Sequence, residues 1–187
     1  MEDFKFTGVQ ITQASGEIHI NQNEFVQSLQ PIQITRTGNK NDKLTDDEMK
    51  KYRGLTGQIA WAAHCSRPDI NFDVRDLSTR NKYATLGDVK KANKVLKKMK
   101  SQEVDIKYKQ LGNWRDLKIV AFTDSSYRNA DDAIKSVGGR FIALVNKNGE
   151  SNPLIWKSKT IQQVCKSVKT AETRSLNEGM EDAIYLS

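Results

Sequence analysis

The chain has 187 residues, of which 30 are Lys or Arg and 23 are Asp or Glu, giving a net charge of +7. Its hydrophobic fraction of 37% and its few prolines exclude a disordered chain, and no run of about 18 apolar residues is present to form a membrane span. The positive charge favours a polyanionic partner such as nucleic acid, although a generic basic surface is an equal alternative at this level.

The N-terminal segment has the alternating apolar pattern of β-strands. Apolar residues lie on both sides of Ala14-Ser-Gly16, which predicts a β-hairpin with its turn at Ser15-Gly16. Cap-like spacing in Asn21-Gln-Asn-Glu24 then predicts a short helix, which Pro31 ends. Residues 32–44 are polar and aperiodic, so we expect a loop there.

Three longer helices are predicted next. The sequence Thr45-Asp-Asp-Glu48 is a capping box, and the helix that it begins ends near Pro68, because proline disfavours the helical conformation in the residue before it. Asp69 is predicted to cap the third helix, and Thr85-Leu-Gly-Asp88 begins the fourth. Apolar residues at helical spacing give these helices buried faces: Met49, Tyr52, Leu55, Ile59, Ala62, Ile70, Val74, Leu77, Val89, Ala92, Leu96 and Met99.

The fourth helix carries many lysines outside its apolar face. Six lysines, including Lys100, face a single acid, Asp88, whereas an ordinary surface helix mixes both signs. A solvated face is the simpler explanation of such a run, but the imbalance favours contact with phosphates. We therefore predict that nucleic acid is bound by Lys90, Lys91, Lys94, Lys97 and Lys98.

After Gln102 the apolar period becomes strand-like. Val104, Ile106 and Tyr108 alternate, and three further strands are predicted at Leu117–Asp124, Gly138–Val145 and Leu154–Lys157. Turns are expected at Arg128–Asp132 and Asn146–Gly149, and a last helix at about Thr170–Leu186.

The predicted fold class is α+β. A β-hairpin and helices occupy residues 1–100, and residues 101–116 form a connection. An antiparallel three-stranded sheet with one covering helix occupies residues 117–187.

Two carboxylates stand out in the last part of the chain. Asp124 follows the apolar run Ile119–Phe122 and precedes two serines, and Glu172 opens the last amphipathic stretch. The simpler alternatives are a turn residue at the end of a strand and a first-turn acid that favours the helix dipole. The later acids of the helix lie well round its axis from Glu172: Glu178, Glu181 and Asp182.

Several segments, in order, resemble the polymerase polyprotein of Ty1/copia-type long-terminal-repeat retrotransposons. Each motif is weak alone, but the ordered set covers nearly the whole chain. The matching segments are Phe6-Thr-Gly-Val-Gln-Ile11 with Ile18-His-Ile20, Tyr52-Arg-Gly-Leu-Thr-Gly57, Arg67-Pro-Asp-Ile70, Ala92-Asn-Lys-Val-Leu96, and the Asp124 and Glu172 segments with Leu154-Ile-Trp-Lys-Ser-Lys159 between them.

This resemblance implies that residues 1–100 are the palm-end and thumb-like region of a reverse transcriptase. It implies that residues 117–187 begin a ribonuclease-H-like domain, in which Asp124 and Glu172 are catalytic carboxylates that bind Mg²⁺ or Mn²⁺. The intact family synthesises DNA on RNA and hydrolyses the RNA of RNA–DNA hybrids. A two-metal site needs three or four carboxylates, and the family's polymerase carboxylates and third nuclease aspartate have no match in this sequence. We therefore expect an incomplete catalytic set and weak metal binding at most.

The expected partner is an RNA–DNA hybrid or duplex DNA, and no membrane is expected. The first residues lack the basic and then apolar layout of a signal peptide, so we expect an intracellular protein. The alternative to a polyprotein fragment is a non-catalytic nucleic-acid-binding remnant or a domesticated host protein.

Overall fold

The computed structural model describes residues 2–127 and 135–187, and it confirms the predicted α+β class. The strands are β1 (Glu2–Phe6), β2 (Val9–Ala14), β3 (Glu17–Asn21), β4 (Ile106–Tyr108), β5 (Lys118–Ser126), β6 (Val137–Val145) and β7 (Ser151–Thr160). The helices are α1 (Asn23–Ser28), α2 (Asp46–Cys65), α3 (Asn71–Thr79), α4 (Leu86–Ser101) and α5 (Val168–Leu186). None of the described helices combines the length and the apolar character needed to cross a membrane.

The N-terminal strands form a four-stranded sheet in the order β1-β2-β3-β4. The predicted turn at Ser15-Gly16 is confirmed, with φ of 53° and 80° at its two residues. A second turn of the same kind lies at Thr7-Gly8, with φ of 47° and 81°. Positive φ at both central residues matches the twist of tight hairpins. The predicted hairpin is formed by β2 and β3, and β1 adds a strand to it, since Gly8 divides the apolar run that precedes Ser15 into two strands.

The chain divides into two compact units. The first consists of residues 1–12 and 19–106, and the second of residues 13–18 and 107–187. In the first unit the predicted apolar faces of the helices meet in one core, which includes the fully buried Tyr52, Ile59, Ile70, Leu96 and Met99. The assignment of residues 1–100, 101–116 and 117–187 to parts of a polymerase and a nuclease stays a prediction.

The starts of the three longer helices in the first unit follow two of their three predicted caps. Thr45 and Glu48 form the capping box of α2, and the Asp88 carboxylate accepts hydrogen bonds of 2.9 Å from the backbone N and the hydroxyl of Thr85 at the start of α4. The predicted cap at Asp69 is wrong. A short 3-10 helix precedes α3, whose N-cap is Ile70, because Asp69 is held instead by the buried Arg67.

The second unit contains an antiparallel sheet in the order β5-β6-β7. The predicted turn at Asn146–Gly149 is confirmed, with φ of 83° at Gly149. The strand predicted from Leu154 begins earlier, and β7 includes Pro153, which has no N–H to donate but fits an edge strand beside a β-bulge. The turn predicted at Arg128–Asp132 lies outside the described residues.

Helix α5 packs across β5 and β6 through small residues spaced one turn apart. Ala171, Ser175 and Gly179 are its buried positions. A Cβ atom at Gly179 would lie 2.3 Å from Cγ2 of Thr123, so the helix backbone rests directly on β5. This close packing fixes the height of α5 above the strand that carries Asp124.

Candidate nucleic-acid interface and carboxylate pair

The five predicted lysines lie on one face of α4. At about 100° per residue, Lys90, Lys91, Lys94, Lys97 and Lys98 fall within an arc of about 120°. All five are exposed, and the residues on the opposite side of the helix, such as Ala92, Leu96 and Met99, are buried in the core. We call this arc of five residues the lysine face. The helical spacing alone predicts the lysine face, but it does not predict which of the five lysines are paired with acids.

Acids from α3 neutralise one side of the lysine face. Lys98 Nζ lies 3.2 Å from a carboxylate oxygen of Asp73, and Lys91 Nζ lies 3.9 Å from one of Asp76. The expectation that Asp88 is the single opposing acid is therefore wrong, since Asp88 is buried as a helix cap and α3 supplies the counter-charges. The signal was present in the sequence, because acids three residues apart share one side of a helix.

The other side of the lysine face carries uncompensated charge. Lys90, Lys94 and Lys97 form no salt bridge with any residue in the described part of the chain. Lys100, at the end of the helix, is engaged differently and donates a 2.9 Å hydrogen bond to the carbonyl oxygen of Gln27. Three ammonium groups thus remain available to an anionic partner.

Asp124 lies inside β5. It pairs across the sheet with Gly139, and the strand continues to Ser126, so the alternative of a turn residue at the strand end is wrong. Its side chain is exposed, and one carboxylate oxygen accepts a 2.9 Å hydrogen bond from the backbone N–H of Ser125.

Glu172 lies in the second turn of α5. The helix begins at Val168, two residues earlier than predicted, and the hydroxyl of Ser167 caps it by accepting a hydrogen bond from the N–H of Thr170. The alternative of a first-turn acid is therefore wrong. The side chain of Glu172 is half-buried, and within the described residues neither Glu172 nor Asp124 forms a salt bridge.

Ser175, which no sequence motif singles out, joins the two elements. Its hydroxyl lies 2.7 Å from the carbonyl oxygen of Asp124 and 3.2 Å from that of Gly139, and Glu172 lies one turn before it. Successive side chains of a strand point to opposite faces of the sheet. The Asp124 side chain therefore leaves β5 on the face opposite Thr123, whereas α5 packs on the Thr123 face. The structure therefore joins the two elements through the backbone of β5 and does not place the carboxylates of Asp124 and Glu172 on the same face of the sheet.

Two of the later acids of α5 are engaged elsewhere. Glu178 and Asp182 both bind the guanidinium of Arg140 on β6, and Lys157 on β7 lies 3.3 Å from Asp182. Partial burial raises the pKa of Asp182, but the hydrogen bonds and charges of Arg140 and Lys157 outweigh it and hold the pKa below its ordinary value. These acids pack the helix on the sheet and point away from Glu172, as its helical spacing predicts.

The donor set does not fit a two-metal centre. Among residues 2–127 and 135–187, no group of three or more His, Cys, Asp or Glu side chains is placed to hold a metal ion. A pair of divalent cations carries four positive charges and requires three or four carboxylates. Asp124 and Glu172 supply two, so we assign no catalytic step to a metal ion here.

The chain has a measurable similarity to a known protein. No family model matches the chain. Over 175 residues the chain is 25% identical to a protein of Saccharomyces cerevisiae ascribed to the transposon Ty5-1. The match covers 86% of this chain and 54% of that protein, so the chain spans about half the length of the curated relative. This similarity relates the chain to a transposon protein.

Proposed function

We propose that the chain is part of a Ty1/copia-type retrotransposon polymerase polyprotein and that it binds nucleic-acid duplexes without sequence preference. The thumb-like region of a reverse transcriptase is assigned to residues 1–100, and the beginning of a ribonuclease-H-like domain to residues 117–187. The similarity to a transposon protein and the α+β fold support the origin. The lysine face of α4 is the observation that supports the binding.

The spacing of the three unpaired lysines suits a phosphate backbone. Lys90 and Lys97 are seven residues apart, which corresponds to about 10 Å along the helix axis. Over that length one strand of a duplex carries about three phosphates, at about 3.4 Å of axis each. Lysine ammonium groups bind phosphates as point charges, without reading base edges. The partner is therefore expected to be recognised by its backbone.

Binding is favoured over hydrolysis in this chain. Two carboxylates at the positions of Asp124 and Glu172 would leave half of the positive charge of a two-metal pair uncompensated. The lysine face, in contrast, requires no further group to bind a polyanion. The intact family's hydrolysis of RNA in hybrids thus describes the ancestry of the carboxylate pair, and nucleic-acid binding describes the proposed activity of this chain.

The test is the salt dependence of binding to a labelled RNA–DNA hybrid. Contact with about three phosphates predicts a slope of log K against log[salt] near −2.7, because each contact contributes about −0.9. Replacing Lys90, Lys94 and Lys97 together by Gln, which keeps helix propensity, should bring the slope close to zero. Hybrids and DNA duplexes of unrelated sequence should bind with similar affinity.

A charge-matched control separates the lysine face from net charge. Replacing three exposed lysines of the second unit by Gln removes the same charge and should leave most of the slope in place; the three are Lys147, Lys159 and Lys166. If the two triple variants lose affinity equally, binding reflects the overall charge of +7. Salt-independent binding would contradict the proposal altogether.

A further inference from the structure

A groove lies between α3 and the lysine face of α4, within the first unit. Its volume is about 370 Å³, and sites for small ligands commonly measure about 300–1,000 Å³. Leu77 and Val95 line the groove and are buried, whereas Phe72 lines it and is 53% exposed. An aromatic ring that is exposed beside a groove offers a surface on which a second flat ring can stack.

Charged side chains line the rest of the groove. Lys91 forms the salt bridge with Asp76 that joins α4 to α3. Seven residues later, about 10 Å along the axis of α4, Lys98 forms the salt bridge with Asp73. Between them in the sequence, Lys94 lines the groove and forms no salt bridge with any described residue. The groove therefore offers one unpaired ammonium group to an anion, together with an exposed aromatic ring.

We propose that this groove binds an unpaired nucleotide, with its base stacked on Phe72 and its phosphate at Lys94. Lys94 belongs both to the groove and to the uncompensated side of the lysine face, so this assignment rests on the nucleic-acid binding proposed above. A strand held by the lysine face passes beside the groove, and a nucleotide beyond the end of the duplex can turn its base towards α3. Stacking on an aromatic side chain is a common way to bind unpaired bases.

The chemistry of the groove favours a nucleotide over other occupants. The carboxylates of Asp73 and Asp76 repel a phosphate from the α3 side, which leaves Lys94 as its contact. An apolar peptide would cover the ammonium group of Lys94 without neutralising it, and inorganic phosphate would leave the ring of Phe72 exposed. A nucleotide joins a flat base to an anionic phosphate and satisfies both groups. Bases within a duplex are stacked and cannot enter such a groove, so the nucleotide is an unpaired one.

The experiment measures the binding of the full chain to three forms of one labelled RNA–DNA hybrid by fluorescence anisotropy. The first form is blunt, the second has a short single-stranded overhang, and the third has the same overhang without bases. The abasic overhang keeps the phosphates, so comparison with it isolates the bases. The intact overhang should bind about tenfold more tightly than the abasic one, as expected for one base stacked on an aromatic side chain. Overhangs at the 5′ and 3′ ends are measured separately, and at least one of them should show this gain.

Variants at Phe72 test the role of its ring. Phe72→Ala should remove the tenfold gain and leave both the affinity for the blunt hybrid and its salt dependence unchanged, whereas Phe72→Tyr should keep the gain. Phe4→Ala is the matched control, since Phe4 on β1 is also 53% exposed but does not line the groove. This control should keep the gain as well. Circular dichroism and thermal melting verify that each variant is folded.

Each outcome separates the groove from the lysine face. Equal affinity for the intact and the abasic overhang overturns the groove proposal and leaves duplex binding through α4 standing. A gain that persists in Phe72→Ala overturns it too, because the base is then bound elsewhere. A chain that binds none of the three hybrids overturns both proposals.

Discussion

Arg67 is a buried charged residue of the first unit, and its guanidinium requires partners in the core. Its side chain is 2% exposed, and its guanidinium donates two hydrogen bonds of 2.9 Å to the carboxylate of Asp69 and one of 3.0 Å to the carbonyl oxygen of Met99. Met99 lies in the last turn of α4, where carbonyl groups lack partners within the helix. The Arg67–Asp69 pair thus joins the end of α2 to the end of α4, which gives the Arg-Pro-Asp sequence a structural role.

Loss of the Asp69 charge should destabilise the fold. Asp69→Asn leaves the buried guanidinium without its counter-charge, which costs about 3–5 kcal/mol for a fully buried pair. Because the Asp69 side chain is 33% exposed, we expect a smaller decrease of about 2–3 kcal/mol in the free energy of unfolding. Urea denaturation measures it. Asp47→Asn is the matched control, since Asp47 is 86% exposed and should change stability by less than about 0.5 kcal/mol.

The same pair predicts a pH dependence. Partial burial raises the pKa of Asp69, but the hydrogen bonds and charge of Arg67 outweigh it and hold the pKa below its ordinary value. Hydrogen bonds from Arg36 and from the backbone of Thr45 lower the pKa of Glu48 to about 2. Both carboxylates have a lower pKa in the folded chain than in the unfolded chain, so the unfolded chain takes up protons at a higher pH. The stability that these two carboxylates contribute is therefore present above about pH 4 and is lost as the pH falls towards 2.

Urea denaturation at a series of pH values from 7 to 2.5 checks this dependence. The free energy of unfolding should decrease steadily below about pH 4. Asp69→Asn should show a shallower decrease, because the part that Asp69 contributes is absent at every pH, while the part from Glu48 remains. An identical pH profile in the variant would show that Asp69 has the same pKa in the folded and unfolded chains.

Among the elements, those with local signals were predictable and those with distant partners were not. The capping box at Thr45 and the apolar faces of the helices depend on residues a few positions apart, and both predictions are confirmed. Asp69 has the local features of a helix cap, but its carboxylate binds Arg67 instead, because the buried guanidinium requires a counter-charge. The lysines of α4 were found by spacing, whereas their acids on α3 depend on how the two helices pack.

The seating of α5 on β5 depends on Gly179. An alanine there gains about 1 kcal/mol of helix propensity, but its Cβ would lie 2.3 Å from Cγ2 of Thr123. Relieving that overlap requires a shift of the helix or of a β-branched side chain, and overpacking of this kind costs about 1–3 kcal/mol. We therefore expect Gly179→Ala to lower the melting temperature.

Gly54 provides the opposite expectation for the same substitution. It is an exposed position in the middle of α2, and a Cβ atom built there meets nothing within 4 Å. Gly54→Ala should therefore raise the free energy of unfolding by about 0.5–1 kcal/mol. Thermal melting of both variants measures the difference, and stabilisation by Gly179→Ala would show that α5 does not pack as closely as described.

At the scale of the whole molecule, the two candidate sites fall in different units. The lysine face belongs to the helical first unit, and the carboxylate pair belongs to the sheet and helix of the second. Residue types and spacing were enough to propose Lys90, Lys94, Lys97, Asp124 and Glu172 as site residues. They were not enough to find Ser175, because its role depends on which turn of α5 packs on β5.

The carboxylate pair leads to the last prediction, which concerns metal-dependent hydrolysis. Hard divalent cations need more oxygen ligands than two carboxylates provide. Because Asp124 leaves β5 on the face opposite α5, one ion bound weakly and completed by water is the most that either carboxylate should hold. We expect the purified chain to leave a labelled RNA–DNA hybrid intact at millimolar Mg²⁺ or Mn²⁺, and Asp124→Asn should behave identically. Calorimetric titration should detect weak metal binding that Asp124→Asn reduces further. Cleavage by the chain that needs the metal and disappears in Asp124→Asn would show that additional ligands complete the site, and the proposed role would then change from binding to hydrolysis.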